Sequence, residues 1–420
     1  MPDSPIPPDP GTSVTSRGDA CPGALRLHAA DDGFLARVRI PGGVLTVPQA
    51  RALGAAAGRL GDGVLHLTSR GNVQLRGLRD GCGGELAELL GAAGLLPSAA
   101  HERVRNVVAS PMSGLDGRGH VDVRDWLTGL DAALCASSVT PELSGRFLFA
   151  LDDGRGDVAA LAPDVLLRGL PDGSALLRLA TEPAALRLPY ETAARAAVLA
   201  SEVFAESARE VTGRRVWRVR ELGLAEGELM ARVGDRFHGA GLAWGPARGA
   251  GNCASNHDGA AAADGSATGN GAKATGLRPG PRSSNAGGAG SAGAAAITIP
   301  FGAIQPSQWT ELTDRAAQLP QQELRLTPWR GIVIPGAEPT ATEPTPWTRV
   351  AACIGRPGCA KSHADVRADA TAHLADAHPD LPTYWSGCER RCGRPTGPYV
   401  DVVARPDGTY DINHPHPATS

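Results

Sequence analysis

Leu65-His66-Leu67-Thr68-Ser69-Arg70-Gly71-Asn72-Val73-Gln74-Leu75-Arg76-Gly77 is the stretch on which the reading of the fold turns, because it recurs. At an offset of 259 residues Leu65 falls on Leu324, Leu67 on Leu326, Thr68 on Thr327, Val73 on Ile332, Leu75 on Ile334 and Gly77 on Gly336, without a gap. Upstream the match continues through Gly43 and Gly302, Leu45 and Ile304, Gln49 and Gln308, Leu53 and Leu312, and Leu60 and Leu319. Apolar matches at helical spacing followed by matches at alternating spacing imply one supersecondary unit, a helix and then a strand pair, used twice about a pseudo-twofold axis.

Within the stretch, Leu65, Leu67, Val73 and Leu75 fall on one side of an extended chain, and His66, Thr68, Arg70, Asn72, Gln74 and Arg76 fall on the other. Carried through Gly71 as a single strand, this sets six hydrogen-bonding groups on one face. Residues 34–40 alternate likewise, with Phe34, Ala36, Val38 and Ile40 opposite Arg37 and Arg39. A half-exposed sheet with its polar face in water has the same pattern. The second copy argues for recognition, because its positions matching His66, Arg70 and Gln74 are Arg325, Trp329 and Val333. A ligand bound on one side of a pseudo-twofold leaves that asymmetry. Further arginines stand in Arg103-Val-Arg105-Asn106-Val107 and Ser144-Gly-Arg146-Phe147. A ligand with several carboxylates is the simplest common target for Arg39, Arg70, Arg105 and Arg146, since guanidinium forks match carboxylates bidentately; dispersed surface arginines are the plainer reading.

Near the C-terminus, Cys353 and Cys359 are followed by Cys388 and Cys392 in the pattern C-x5-C…C-x3-C, each pair on a glycine-bearing loop. Four thiolates so arranged suit an iron-sulfur cube. Zinc competes, although its knuckle spacing of two to four residues does not fit the first pair. A disulfide reading needs an oxidising compartment. Residues 2–20 are rich in Pro, Ser, Asp and Gly with no apolar h-region, so a cytoplasmic location and reduced thiols are expected. Arg356, Lys361, Arg390, Arg391 and Arg394 lie beside the cysteines in sequence and are the expected source of compensating positive charge.

The 420 residues, 42% of them hydrophobic, suffice for two or three compact domains. A net charge of −3, no block of Lys or Arg and no membrane-length apolar run leave neither nucleic acid nor a membrane as an expected partner. Cys21, Cys82, Cys135 and Cys253 stand alone and read as packing or loop residues. Residues 249–296 are almost entirely Gly, Ala, Ser and Asn, a composition for a flexible linker. The formal G-x-G-x-x-G at Gly288–Gly293 follows no strand pattern, so no nicotinamide or flavin fold is expected and electrons should arrive from a partner protein.

These motifs together resemble the nitrite and sulfite reductase ferredoxin-like superfamily, and within it the precorrin-3B synthase family of aerobic cobalamin biosynthesis. They comprise Cys21-Pro-Gly, Arg37-Val-Arg-Ile-Pro-Gly-Gly43, Leu67 to Gly77, Arg105-Asn-Val, Cys353-Ile-Gly-Arg-Pro-Gly-Cys359-Ala-Lys-Ser and Trp385-Ser-Gly-Cys388-Glu-Arg-Arg-Cys392-Gly-Arg-Pro. The resemblance implies an α+β fold of two ferredoxin-like half-repeats related by a pseudo-twofold, each followed by a nitrite/sulfite reductase-type α/β domain. The expected boundaries are a disordered tail at 1–20, half-repeats at 21–90 and 297–342, α/β domains at 97–245 and 345–420, and the linker at 246–296.

The resemblance also implies a [4Fe-4S] cluster on the four cysteines. In the reductases the last cysteine, here Cys392, bridges to sirohaem. Their anion-binding positions map onto Arg39, Arg105, Arg146 and Leu148, an incomplete pocket. Glu389-Arg390 and Tyr399 are further departures. The precorrin-3B synthase likeness instead implies precorrin-3A as substrate, hydroxylated at C20 with O2 and closed to a lactone. Arg39, Arg70, Arg105 and Arg146 would hold its carboxylates, and His66, Thr68, Asn72, Gln74 and Asn106 would line its cleft. An external NAD(P)H-linked reductase or ferredoxin would supply electrons. A separate mononuclear non-haem iron is implied too; His28 with Asp31 and Asp32, or His120 with Asp122, are the sets considered for it, while His363, His373, His378, His414 and His416 form none. No catalytic residue is assigned. The alternatives are a sirohaem-dependent sulfite or nitrite reductase and a non-catalytic iron-sulfur or zinc protein.

Overall fold

The repeated stretch folds as a hairpin in both copies. In the first, strands Leu65–Leu67 and Val73–Leu78 pair with His66 opposite Gln74; in the second, Glu323–Leu326 and Gly331–Pro335 pair with Arg325 opposite Val333, the same register 259 residues on. The single six-group strand expected across Gly71 is therefore corrected. The chain reverses there, with Gly71 at φ 66 and the Thr68 hydroxyl accepting from the backbone N–H groups of Arg70 and Asn72. His66 and Gln74 still share a face, because hairpin partners do. Thr68, Arg70 and Asn72 belong to the turn.

The computed structural model describes residues 22–180, 182–247, 293–338, 346–395 and 397–415. The expected tail at 1–20, most of the linker, the Gly288–Gly293 motif apart from its last glycine, Cys21, Cys253 and His416 lie outside these residues.

Each hairpin is preceded by a helix whose start is set by side chains. Thr46 and Gln49 form a reciprocal capping box for Val47–Leu60, and Gln305 and Gln308 do the same for Pro306–Ala317. Val47, Ala50, Leu53, Ala57 and Leu60 bury one stripe of the first helix. The two helices pack together, and the Trp309 indole donates to the Ala50 carbonyl oxygen at 2.8 Å.

The short strand before each helix crosses to the other copy. Val44–Thr46 joins the second hairpin, with Leu45 opposite Leu324, while Ala303–Ile304 joins the first, with Ile304 opposite Leu65. One five-stranded and one four-stranded sheet result, and their apolar faces share a single core. The half-repeats are thus halves of one unit. The expected linker also ends earlier than its composition implied. Gly245–Pro246 pairs with Leu186–Leu188, and Ala294–Thr298 is a strand paired with Gly331–Pro335, since Ala295 and its neighbours suit a sheet that the second hairpin offers.

Each half is followed by an α/β domain. The first has six strands, of which Val107–Ala109, Phe149–Asp152 and Val165–Gly169 are parallel; helices Arg124–Ala136, Ala193–Glu210 and Glu228–Gly239 pack in a core around Trp126, Phe147, Phe204 and Phe237. The second has parallel strands Val350–Ala352, Thr383–Ser386 and Val400–Ala404, an antiparallel strand Tyr410–Asn413 and the short helix Val366–Ala372. No helix among the described residues is long and apolar enough to cross a membrane.

The crossing strands approach so closely that Gly43, at φ 73, leaves no room for a side chain: a Cβ there would lie 2.0 Å from the Leu326 carbonyl oxygen. Gly43→Ala should cost more than about 2 kcal/mol in denaturant unfolding. Gly58→Ala, in open space on the exposed face of the first helix, should instead stabilise by roughly 0.5–1 kcal/mol. Equal effects of the two would contradict the proposed packing.

Candidate metal centre

The two cysteine pairs emerge from one edge of one sheet. Cys353 follows strand Val350–Ala352 and Cys388 lies two residues beyond Thr383–Ser386, and these strands are adjacent and parallel. Loops that leave the carboxyl ends of neighbouring parallel strands open into the same crevice, the usual binding place in such sheets. The Gly387 N–H donates to the Cys353 sulfur at 3.2 Å, the Cys353 N–H to the Trp385 carbonyl at 2.9 Å, and the His363 N–H to the Gly387 carbonyl at 2.8 Å. A Cβ at Gly387 would meet the Ser362 hydroxyl at 1.9 Å, so the loops interlock through a missing side chain.

All four cysteines are unbridged. Partial burial, and the neighbouring thiols of Cys388, Cys353 and Cys359, push the Cys392 thiol above its ordinary value. The four sulfurs therefore act on one another, although among the described residues no three His, Cys, Asp or Glu side chains close around a single ion position.

The first half-repeat holds the Cys359 loop from the far side. Asp32 takes both forks of Arg76 at 2.7 and 2.8 Å, and Arg76 donates to the Gly358 carbonyl oxygen at 2.6 Å. Asp31 accepts from the Ala360 N–H. The carboxylates considered for a second iron are thus occupied in fastening the cysteine loop, and His28 is exposed. His120 is exposed also, and Asp122 pairs with Arg124. Neither set forms a facial triad here.

The residues expected to line the cleft divide into three groups. Asn72 and Asn106 are fully buried and form a tie between the half-repeat and the first α/β domain: Asn72 accepts from the Ile40 N–H at 2.9 Å and donates to Asn106 at 3.0 Å, and Asn106 donates to the Phe147 carbonyl at 2.9 Å. Arg39 joins them, donating to the Gly145 carbonyl at 3.0 Å, while Arg105 is held bidentately by Asp131 at 2.7 Å. Arg39 and Arg105 border a recess of about 380 Å³ with Gln49, Thr128 and Asp131, which no cluster cysteine lines. Arg146 is exposed and Arg70 donates to its carbonyl oxygen at 3.2 Å, so this pair stands together. His66 and Gln74 are hairpin partners, and Arg367, which donates to the Cys353 carbonyl, acts on His66.

His66 reports what surrounds it. Burial, then the cations Arg367 and Arg76, push its pKa down to about 3, and its Nδ1 has no hydrogen-bond partner. Its counterpart Arg325 is buried and donates to the carbonyls of Pro111 and Ser113 at 2.9 and 2.8 Å, so the corresponding place on the other half is closed by protein.

The charge beside the cysteines matches the expectation only in part: Arg390, though exposed, acts on the Cys392 thiol. Lys361, Arg390 and Arg394 are exposed, Arg356 donates to the Ser362 carbonyl, and Arg391 pairs with Asp401 and Glu389. The inward cations are Arg76, Arg330 and Arg367, from distant parts of the chain. Arg76 was visible as a polar position of the repeat; Arg330 and Arg367 carried no spacing signal.

A twisted pair of half-repeats flanked by two α/β domains is the architecture of nitrite and sulfite reductases. A family model described as the nitrite/sulfite reductase ferredoxin-like half domain matches residues 27–93, and the NirA protein of Mycobacterium tuberculosis superposes with a TM-score of 0.61, covering 90% of this chain and 73% of that one at 16% identity. In sequence, the chain is similar to a precorrin-3B synthase of Sinorhizobium sp, 34% identical over 40% of this chain and 36% of that protein. It is also similar to the ferredoxin–nitrite reductase of Synechococcus elongatus, 37% identical over 29% of this chain and 25% of the relative. The matched stretch thus spans about a third of the first relative.

Two outcomes follow. Asp32→Ala leaves the buried Arg76 guanidinium without its partner and should cost about 3 kcal/mol, with faster alkylation of Cys359 in the native, reduced protein. His66 should remain neutral at pH 5 in the metal-free chain, as read by its ring 15N shifts. The unfolded chain takes up this proton near the ordinary value of 6.5 and the folded chain only near 3, so this residue's contribution to stability falls as pH drops from 6.5 toward 3.

Proposed function

We propose that this protein is a precorrin-3B synthase, an oxygen-dependent monooxygenase that hydroxylates precorrin-3A at C20 with lactone formation in aerobic cobalamin biosynthesis. The observation that carries this reading is the joining of the two cysteine loops, with Arg367 between Cys353 and the buried His66, in a chain similar over 40% of its length to a protein of that name. The donor set fits an iron-sulfur group. Four unbridged thiols stand on loops that leave the carboxyl ends of two adjacent strands, glycines clear the loops, and the Arg330 and Arg367 guanidiniums lie beside them. Cys353, Cys359, Cys388 and Cys392 would hold a [4Fe-4S] cluster.

When bound, that group supplies one-electron transfer. The chain's own residues do the rest: Arg70 and Arg146 receive carboxylates at the rim, and Gln74 with neutral His66 offers hydrogen bonds to the macrocycle. Arg39, Asn72, Arg105 and Asn106 hold the frame on which these stand. One oxygen atom enters the substrate and the other leaves as water, with two electrons from an external NAD(P)H-linked reductase or ferredoxin and two protons from solvent.

A sirohaem-dependent sulfite or nitrite reductase is the second reading, favoured by the 37% identity to a nitrite reductase over 128 residues. Against it, Leu148, at one of the four positions mapped to the reductases' anion pocket, is buried and apolar.

Purified anaerobically, the protein should contain iron and acid-labile sulfide, which Cys392→Ser should remove. It should convert precorrin-3A only with both O2 and a reductant present. Conversion without O2, or extraction of stoichiometric sirohaem with nitrite turnover, would overturn the proposal.

A further inference from the structure

The internal repeat provides its own control for finding residues that the second half has altered. Turn positions correspond at the offset of 259, and three of them hold glycine at positive φ in the first copy but a side chain in the second; one is Gly63 (φ 80), which corresponds to the exposed Gln322 (φ 47). Gly42 (φ 62) corresponds to Phe301 (φ 53), and Gly71 (φ 66) to Arg330 (φ 59). A non-glycine residue in the left-handed region is strained and persists where the surroundings impose it, often at functional sites. Of the three side chains, those of Phe301 and Arg330 turn toward the cysteine loops.

The Arg330 side chain lies across Gly302, where a Cβ would meet its Cδ at 3.0 Å, and reaches Gly393, the residue after Cys392, where a Cβ would meet its Nη2 at 2.9 Å. It hydrogen-bonds the Tyr384 hydroxyl, which itself donates to the Cys392 carbonyl oxygen. The Phe301 ring lies 5.9 Å below the Arg367 guanidinium, and Arg367 Nε donates to the Cys353 carbonyl at 3.2 Å. One guanidinium is therefore tied to each cysteine pair.

These contacts leave the arginines in an unbalanced field. Arg330 and Arg367 lie near each other and near the Cys353 thiol, with the Tyr384 hydroxyl the other group beside them. Two cations held together beside four thiols are stable only with negative charge between them.

We propose that Arg330 and Arg367 are the charge-compensating pair of the thiolate-held cluster, positioning residues that favour its one-electron-reduced state. This rests on the iron-sulfur reading above and is independent of the tetrapyrrole. Reduction from [4Fe-4S]2+ to [4Fe-4S]+ adds one electron and no proton, so it adds negative charge that the guanidiniums stabilise in place. Of the arginines next to the cysteines in sequence, Arg390 acts on the Cys392 thiol from an exposed position that water screens, while Arg391 is paired with Asp401 and Arg394 is exposed.

The test is a dithionite titration of the anaerobically purified protein, with the reduced cluster counted by electron paramagnetic resonance and iron and sulfide measured on the same samples. Arg330→Gln and Arg367→Gln should each raise the ratio of oxidised to reduced cluster about tenfold at fixed potential, a fall of about 59 mV in midpoint for a one-electron couple. Arg330→Lys should restore most of it, and Arg394→Gln should change the ratio less than twofold. Loss of iron and sulfide in the Gln variants but not the Lys variant, with circular dichroism unchanged, supports the same role. Wild-type midpoints in both Gln variants at full iron content overturn it, as does loss of the cluster from Gln and Lys variants alike. If the wild-type protein holds zinc, or no iron and sulfide, the iron-sulfur reading fails and this role falls with it; if it holds the cluster but ignores precorrin-3A, only the tetrapyrrole reading fails.

Discussion

The strand exchanged between the two half-repeats is the constraint on which the remaining structure depends. Leu45 pairs opposite Leu324 and Ile304 opposite Leu65, so neither sheet is complete without three residues or fewer of the other copy. The exchange brings each copy's backbone onto the other, with Gly43 against the Leu326 carbonyl and Gly302 against that of Leu67. Strand edges are thereby paired and one apolar core serves both copies. It also fixes the direction in which each hairpin presents its polar face, and hence which α/β domain that face meets.

From this frame the two halves diverge. The first half meets the cysteine domain through Asp31, Asp32 and Arg76, all engaged with the Cys359 loop. The second meets the other α/β domain through Arg325, whose guanidinium is buried against the backbone carbonyls of Pro111 and Ser113. One pseudo-equivalent junction is sealed by hydrogen bonds, whereas the other is lined by thiols, a neutral histidine and unbalanced cations. Functional asymmetry from a symmetric frame needs only such local substitutions, because the backbone register is unchanged.

Much of the frame was legible in the amino acids. The gapless offset announced two copies, the alternating pattern announced their strands, and the four cysteines announced their own loops. The reading of Leu65 to Arg76 as one polar face was only partly right, because alternation does not distinguish a strand from a hairpin whose turn preserves parity; Thr68 and Gly71 form that turn. Arg39 and Arg105 looked like ligand clamps and are engaged with Gly145 and Asp131, since partners 106 and 26 residues away leave no local signature.

The sequence by itself determined the repeat, the α+β class and the placing of four cysteines on two glycine-bearing loops, because periodicity and spacing are properties of residues in order. Only the tertiary structure decided which charges face those sulfurs. Arg76, Arg330 and Arg367 converge from three separate elements, while the arginines adjacent in sequence are exposed or turned to other partners. Electrostatic energy depends on distance through space and on exclusion of water, and neither is recorded in spacing along the chain.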